Sequence, residues 1–328
     1  MTSSIDPRVQ AWLARAGALP APTAAAGEVL RLCQRDDANP DEIAAVLARD
    51  ATLTGRVLAF ASSRAFGAGG PARTPARAVH VLGTKTLRLL TSTLTLFDAL
   101  PHTGGAAGLE FEAHWRHALL AAASARALAA RLAPALQDEA FVLALHARSG
   151  QLVLACHRTH EYAALVEEAR RGPAASDGLA TPAAELEQAR LGFDHVDVAD
   201  ALFAPLELPR VFALALRAAR APSSGASGAS GDLPAELTLL AQVLALAERV
   251  TELVTGTGGT NALARAQEQA RRAFECEASE LDLALASLDD DAHELAELLG
   301  LPAPAPGELT RALAAARDAA RGRGSSAA

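Results

Sequence analysis

From Phe111 to His157 the chain reads FEAHWRHALLAAASARALAARL, a short break, then DEAFVLALHARSGQLVLACH. The first half sets Trp115, Leu119, Leu120 and Leu128 among alanines, an apolar pattern at helical spacing in strong helix formers. The second half runs apolar through Phe141, Val142, Leu143 and Leu145, which puts His146 at the buried end of a helix. Half of the 328 residues are apolar but only 4% are aromatic, so a core must come from close approach of Ala-rich helices with layers of Leu between them. The expectation is an all-α fold in which His117 and His146 meet inside a helical bundle.

Upstream, residues 1–100 read as a lobe of short helices. Asn39-Pro40-Asp41-Glu42 joins a capping side chain, a proline at the first helical position and acids at the positive end of the helix dipole. Ile43, Val46 and Leu47 form the buried face of that helix. A second begins near Ala51, with Leu53, Val57, Leu58 and Ala61 inward, and ends in FGAGGPART. Thr74-Pro75 starts a third, Gly83 stops it, and Thr84 begins a fourth that runs to about Leu100. Helix, glycine and helix around Gly83 have the shape of a helix-turn-helix, and Arg49–Arg88 holds seven basic residues against one acid, Asp50. A recognition helix presents Asn, Gln or Ser to base edges, whereas TKTLRLLTSTLTLF is too apolar to lie open in a groove. Packed helices with solvated arginines are the reading, and nucleic acid is not an expected partner.

Residues 101–109, PHTGGAAGL, form a linker rich in chain breakers. A bundle follows over 110–301. It contains a loop at 172–184 leading to a helix over 185–191, a flexible Gly/Ser insert at 222–232, and a central helix over about 235–255. The acidic run ECEASELDLALASLDDDAHELAELLG follows it. Residues 302–328 carry PAPAPG, an Ala/Arg helix and GRGSSAA, and are expected as a tail outside the fold.

These segments, in this order, resemble the HDOD family, a non-catalytic relative of the HD metal-dependent phosphohydrolases. The resemblance is carried by Leu19-Pro20, Arg49-Asp50 with Leu53, Ser62-Ser63 with Phe66-Gly67, Ala78 with Leu82-Gly83, and GFDHVDVADALFAPLELP with His195 and Leu208-Pro209. It implies a two-lobed helical bundle like that of the HD superfamily, with the acidic run ECEASELDLALASLDDDAHELAELLG as the family's acidic C-terminal helix, and a role in bacterial regulation, often near cyclic dinucleotide signalling. In the HD enzymes a histidine, a His-Asp pair and a distant Asp bind a metal that activates water. Here His146 is followed by Ala147, Glu248 in LLAQVLALAERV is the nearest match to the distant acid, and the paired histidines of metal-binding relatives have no counterpart in Val211–Arg220. His117, His146 and Glu248 are therefore expected as remnants of a metal site, with no catalytic residue, metal or cofactor. The family's Asn-Ser appears as Ser62-Ser63.

Composition narrows the rest. Residues 1–100 hold eleven Lys and Arg against eight Asp and Glu, and the remaining 228 hold nineteen against thirty, giving about +3 and −11 and the total of −8. Three cysteines, Cys33, Cys156 and Cys276, have no paired spacing and fit a reducing compartment better than a disulfide or zinc framework. MTSSIDPRVQAWLARAG lacks the basic start and apolar core of a signal peptide, and no uncharged run is long enough to span a bilayer. The expectation is a cytoplasmic protein without membrane association. No nucleophile elbow or phosphate-binding glycine loop appears, and HARSG has too few glycines to supply a nest of amides.

The expected function is that of a non-enzymatic regulatory scaffold that binds a protein partner, with Arg49, Arg56, Arg73 and Arg77 as the candidate binding surface. A receptor for a nucleotide or cyclic dinucleotide, using the pocket around His117 and His146, is the alternative. Residual metal-dependent phosphohydrolase activity ranks third. His146 and His117 also admit a plainer role as core histidines satisfied by one hydrogen bond, His195 as a brace at a helix start, and Glu248 as either a buried acid with a histidine partner or a solvent-facing side chain.

Overall fold

In the first hundred residues each helix starts on a side chain that accepts its orphan amides. The computed structural model describes residues 6–67, 70–171, 182–209, 211–220, 233–257 and 261–326. Helix α1 (Pro7–Ala16) starts on Asp6, α2 (Ala24–Leu32) on Thr23, α3 (Pro40–Leu47) on Asn39, α4 (Ala51–Ser62) on Asp50 and α5 (Pro75–Ala99) on Thr74. Each such cap is worth about 1 kcal/mol. Thr23 also donates its hydroxyl to Asp50 at 3.0 Å, tying two helix starts together. Gly83 breaks α5 at φ 71° and ψ 167°, so the predicted stop and restart are both present. Ile43, Val46, Leu47, Val57, Phe60 and Ala61 are buried beneath α5 as the core of this lobe.

Residues 101–109 are more ordered than a linker. A hairpin pairs β1 (Gly105–Ala106) with β2 (Leu109–Glu110) through Ala107 and Gly108, both at positive φ as a two-residue primed turn requires. The Pro101 carbonyl accepts from Trp115 Nε1 at 2.8 Å, and the His102 ring stacks on Phe97 at 4.2 Å.

The bundle is built on α6 (Phe111–Leu132), whose alanines at 118, 121, 122, 125 and 129 are buried and allow close packing. Against it lie α7 (Gln137–His146) and, after α8 (Ser149–His157), α9 (Thr159–Arg171), α10 (Pro182–Leu191), α11 (His195–Phe203) and α12 (Val211–Arg220), the long α13 (Ala235–Thr255). The chain closes with α14 (Ala262–Phe274), α15 (Ala278–Ala284), α16 (Leu288–Leu299) and α17 (Glu308–Ser326). The result is all-α and two-lobed. Among the described residues no helix is long and apolar enough to cross a membrane.

Four details differ from the sequence reading. Helix α1, first in the chain, packs on α11 of the bundle, with Trp12 against Phe193 at 5.7 Å. The acidic run is two helices, α15 and α16, broken at residues 285–287. Helix α10 starts at Pro182, earlier than expected; the rest of the loop before it and the 222–232 insert lie outside the described residues. Finally, 308–326 is not a detached tail. Its Leu309 and Leu313 are buried, and Asp289 of α16 accepts from the amides of Leu309 at 3.1 Å and Thr310 at 2.8 Å. Capping by a distant carboxylate leaves no local sequence trace, which is why this segment reads as a tail.

The lobes meet at the corner 63–67, where α4 ends. Ser63 Oγ donates to Phe60 O at 2.7 Å and accepts from Phe66 N at 3.2 Å, and a Cβ on Gly67 would meet Ala61 O at 2.4 Å. Phe66 lies edge-on to Phe60 and Phe141, each at 5.3 Å, so one ring joins both cores. Helices α8 and α11 approach closely at Gly150, where a Cβ would lie 2.0 Å from the His195 carbonyl oxygen. Gly150→Ala is expected to cost at least about 1–3 kcal/mol through overpacking against backbone, measured as a lower denaturant midpoint with an unchanged slope. An unchanged midpoint would show that α8 and α11 are not in this contact.

Candidate functional site

Helix α6 carries His114 and His117 one turn apart, α13 carries Glu248, and Arg148 lies at the junction of α7 and α8. Glu248 is 4% exposed. His117 Nε2 donates to both its oxygens, at 3.0 and 3.1 Å, and the Arg148 guanidinium donates to Oε1. Burial alone would raise the Glu248 pKa; the Arg148 and His117 charges and hydrogen bonds outweigh it and hold the carboxyl well below the ordinary range. His117 and Glu248 are thus one unit, and its cation is an arginine.

His146 makes a different set of contacts. Its ring is fully buried, Nδ1 lies 3.1 Å from Ser149 Oγ, and Trp115 stands edge-on to it at 6.5 Å. Burial pushes its pKa down to about 3. Of the three predicted remnants, the structure joins His117 to Glu248 and sets His146 in the core beside Ser149. Periodicity brings both histidines indoors, where each lies within electrostatic reach of His114. His114 is a further buried imidazole, its Nε2 without a hydrogen bond among the described residues and its pKa drawn well below the usual value by burial and by the nearby Arg148.

A second polar cluster joins α9, α10, α11 and α12. Glu187, fully buried, accepts from Tyr162 Oη at 2.7 Å, from the His195 amide at 2.8 Å and from His195 Nδ1 at 2.6 Å. Arg220 Nη1 approaches His195 Nε2 at 3.1 Å. A guanidinium can only donate, so Nε2 accepts and the His195 proton is on Nδ1, directed at Glu187. His195 therefore braces the start of α11, while Asp194 caps it with Asp197 in a reciprocal box. The sequence reading missed Glu187, Arg148 and Arg220. Glu187 follows a loop without pattern, and Arg148 in HARSG signals only that the chain leaves a helix.

The four candidate surface arginines do not act alike. Arg49 pairs with Glu28 at 2.8 Å, and Arg56 pairs with Asp98 and lies 5.6 Å from the Phe97 ring centroid. Arg73 and Arg77 are exposed beside the start of α5, with no ion pair to either among the described residues. Two of the four are thus already engaged within the lobe.

The donors present do not fit a metal. Glu248 offers its lone pairs to Arg148 and His117, and Ala147 follows His146. Among the described residues no group of three or more His, Cys, Asp or Glu has a metal-holding arrangement. A divalent cation at Glu248 would have to displace a guanidinium.

Residues 19–222 match the model of the HDOD domain family. The chain belongs to that family. None of the curated proteins matches it. Among solved structures, the HDOD fold here is similar to a candidate phosphohydrolase from Shewanella amazonensis SB2B, with TM-score 0.64 and 21% identity over 88% of this chain and 98% of that one. An HDOD domain protein of unknown function from Geobacter sulfurreducens gives TM-score 0.59 and 20% identity over 89% of this chain and 99% of that one. A candidate signal transduction protein from Marinobacter aquaeolei VT8 gives 0.57 and 19% over 86% of this chain and 60% of that one. At these identities the likeness is one of fold.

The buried groups set a pH dependence. Glu248 has its folded pKa depressed, so its contribution to stability is complete above its unfolded value of 4.5 and is lost as pH falls below that. His146, depressed from 6.5 to about 3, loses its contribution as pH falls from 6.5 toward 3, because the unfolded chain takes up the proton first. Between pH 7 and 5 the His146 effect amounts to about 2 kcal/mol. His146→Gln is expected to flatten the fall in unfolding free energy over that range, followed by urea denaturation. A slope equal to wild type would show that His146 is accessible to protons in the folded chain.

Proposed function

We propose that this HDOD protein is a non-enzymatic regulatory protein that acts as a scaffold for a protein partner. The observation that supports this reading is the Arg148–Glu248–His117 unit: the acid that most resembles a metal ligand is neutralised by a resident arginine. Hydrolysis of the HD type needs a metal with an open water position, and a carboxylate held by a guanidinium and an imidazole provides none. The signal transduction protein among its structural relatives agrees with a regulatory role.

The receptor reading gains less from the same geometry. Its arginines near the old pocket, Arg148 and Arg220, are bonded to Glu248 and His195, so an anionic ligand would have to compete for each.

Thermal unfolding of the full chain against manganese, iron, nucleotides and cyclic dinucleotides tests the proposal, since a ligand at 100 times its dissociation constant adds about 2.7 kcal/mol. A flat panel is expected, together with no release of phosphate or p-nitrophenol from model phosphoesters. A shift with a metal would restore the hydrolase, and a shift with a cyclic dinucleotide would make the protein a receptor. Replacing the resident cation and restoring the acid, by Arg148→Ala with Ala147→Asp, is expected to create a metal-dependent shift that wild type lacks.

A further inference from the structure

The groove between α15 and α17 is built wholly from residues beyond 222, where the family match ends. Helix α15 turns Leu281 and Ala284 inward and packs on α6 and α14, while α17 packs on α13, α14 and α16. Between them lies a cavity of about 470 Å³, lined by Leu285 and Leu313, which are themselves nearly all buried. Leu283 belongs to the same lining and is 60% exposed. A lone surface leucine is ordinary, but here a protruding apolar side chain and an apolar depression lie side by side on one patch.

Charge decides what the patch fits. Residues 275–300 hold nine acids and no Lys or Arg, and a surface of one sign repels its own copy. Much of that charge is committed elsewhere: Glu277 and Glu280 close a capping box, Asp289 caps α17, and Asp290, Asp291 and Glu294 face Arg64 and its amide. The groove itself carries one acid, Asp282, and one cation, Arg317, paired at 2.5 Å, and Ser279 and Thr310 complete its polar lining without charge. Its net charge is therefore zero, with both signs at the rim. A basic segment would find only a neutralised pair here. A face that meets itself about a two-fold axis must instead be self-complementary. This patch has both halves of two such matches, a leucine with a depression and an aspartate with an arginine.

We propose that this groove is the two-fold face on which a second copy of the chain docks, with Leu283 of each copy entering the groove of the other and Arg317 of each reaching Asp282 of the other. The pair that closes within one chain exchanges partners across the axis, and the exchange costs little because both side chains are part-exposed and such a pair is weak. Two HDOD domains are then presented together, so a binding partner with two sites gains avidity. Helix α17 also ties this face to the polar centre, since Glu308 at its start pairs with Arg116, next to His117. The proposal goes beyond the scaffold reading and does not depend on it.

The test follows the full chain by sedimentation velocity over a range of micromolar concentrations. For wild type a concentration-dependent species of twice the chain mass is expected. Leu283→Glu is expected to stay monomeric throughout, with the thermal midpoint of the dilute chain unchanged, since the side chain is exposed in the monomer. Asp282→Arg and Arg317→Asp are each expected to weaken self-association at least about tenfold, because like charges then meet across the axis. Mixing those two variants should restore a dimer containing one of each, as each chain supplies the sign the other lacks. Loss of a pair that acts only within one chain would not be repaired by mixing. A wild-type chain that stays monomeric at every concentration overturns the proposal. So does a dimer that survives Leu283→Glu, or a pair of charge variants that fail to associate when mixed. None of these readouts involves a metal, a nucleotide or a different protein, so failure here is distinguishable from failure of the scaffold reading.

Discussion

The position of the two lobes depends on Arg126. Its side chain is nearly all buried on α6, and its guanidinium donates to Asp138 at the start of α7 and to the carbonyl of Ala65 while lying 3.7 Å from the Phe66 ring centroid. Asp138 in turn accepts from Thr86 of α5. One cation therefore fixes the corner of the first lobe, the helix after its glycine break and the first turn of a bundle helix. Removing one member of a buried, hydrogen-bonded charge pair costs about 3–5 kcal/mol. The arrangement tolerates a buried charge because two arms of the fork find acceptors, one of them a carboxylate, and its flat face has a ring.

Much of the fold is legible in the sequence because it is set locally. Asn39-Pro40, Thr74-Pro75 and Gly83 act within a few residues of themselves, and the structure shows each in its expected place. The helix over 235–255 likewise follows from its apolar spacing. Long-range polar contacts are not legible in this way. Asp289 capping α17, Glu294 on the 64–65 amides and Glu187 under His195 each join residues that no pattern links, and all three were absent from the reading of the chain. At the site, Glu248 with a histidine partner was one of two open readings, and the buried pair is the one found. That its second partner is Arg148 follows only from the turn between α7 and α8, which aims that side chain inward.

An arginine in this role changes what the pocket can do. A divalent ion recruits oxygen ligands and keeps exchangeable water; a guanidinium donates hydrogen bonds in a fixed plane and never becomes a Lewis acid. The carboxylate is satisfied in either case, so the helices α6 and α13 can be held together with the chemistry removed. In this HDOD chain the polar centre ties α6 to α13 through His117 and Glu248, with Arg148 on the same carboxylate.

The contact at Gly150 has a mechanical consequence. Gly150 is two residues after Arg148, and it touches the backbone of His195, the first residue of α11. The two polar clusters meet here backbone against backbone, and Arg148 of the first also lies within electrostatic reach of Tyr162 and Arg220 of the second. A tilt of α11, on which α1 also rests, is passed to the turn that carries Arg148 and so to Glu248 on α13.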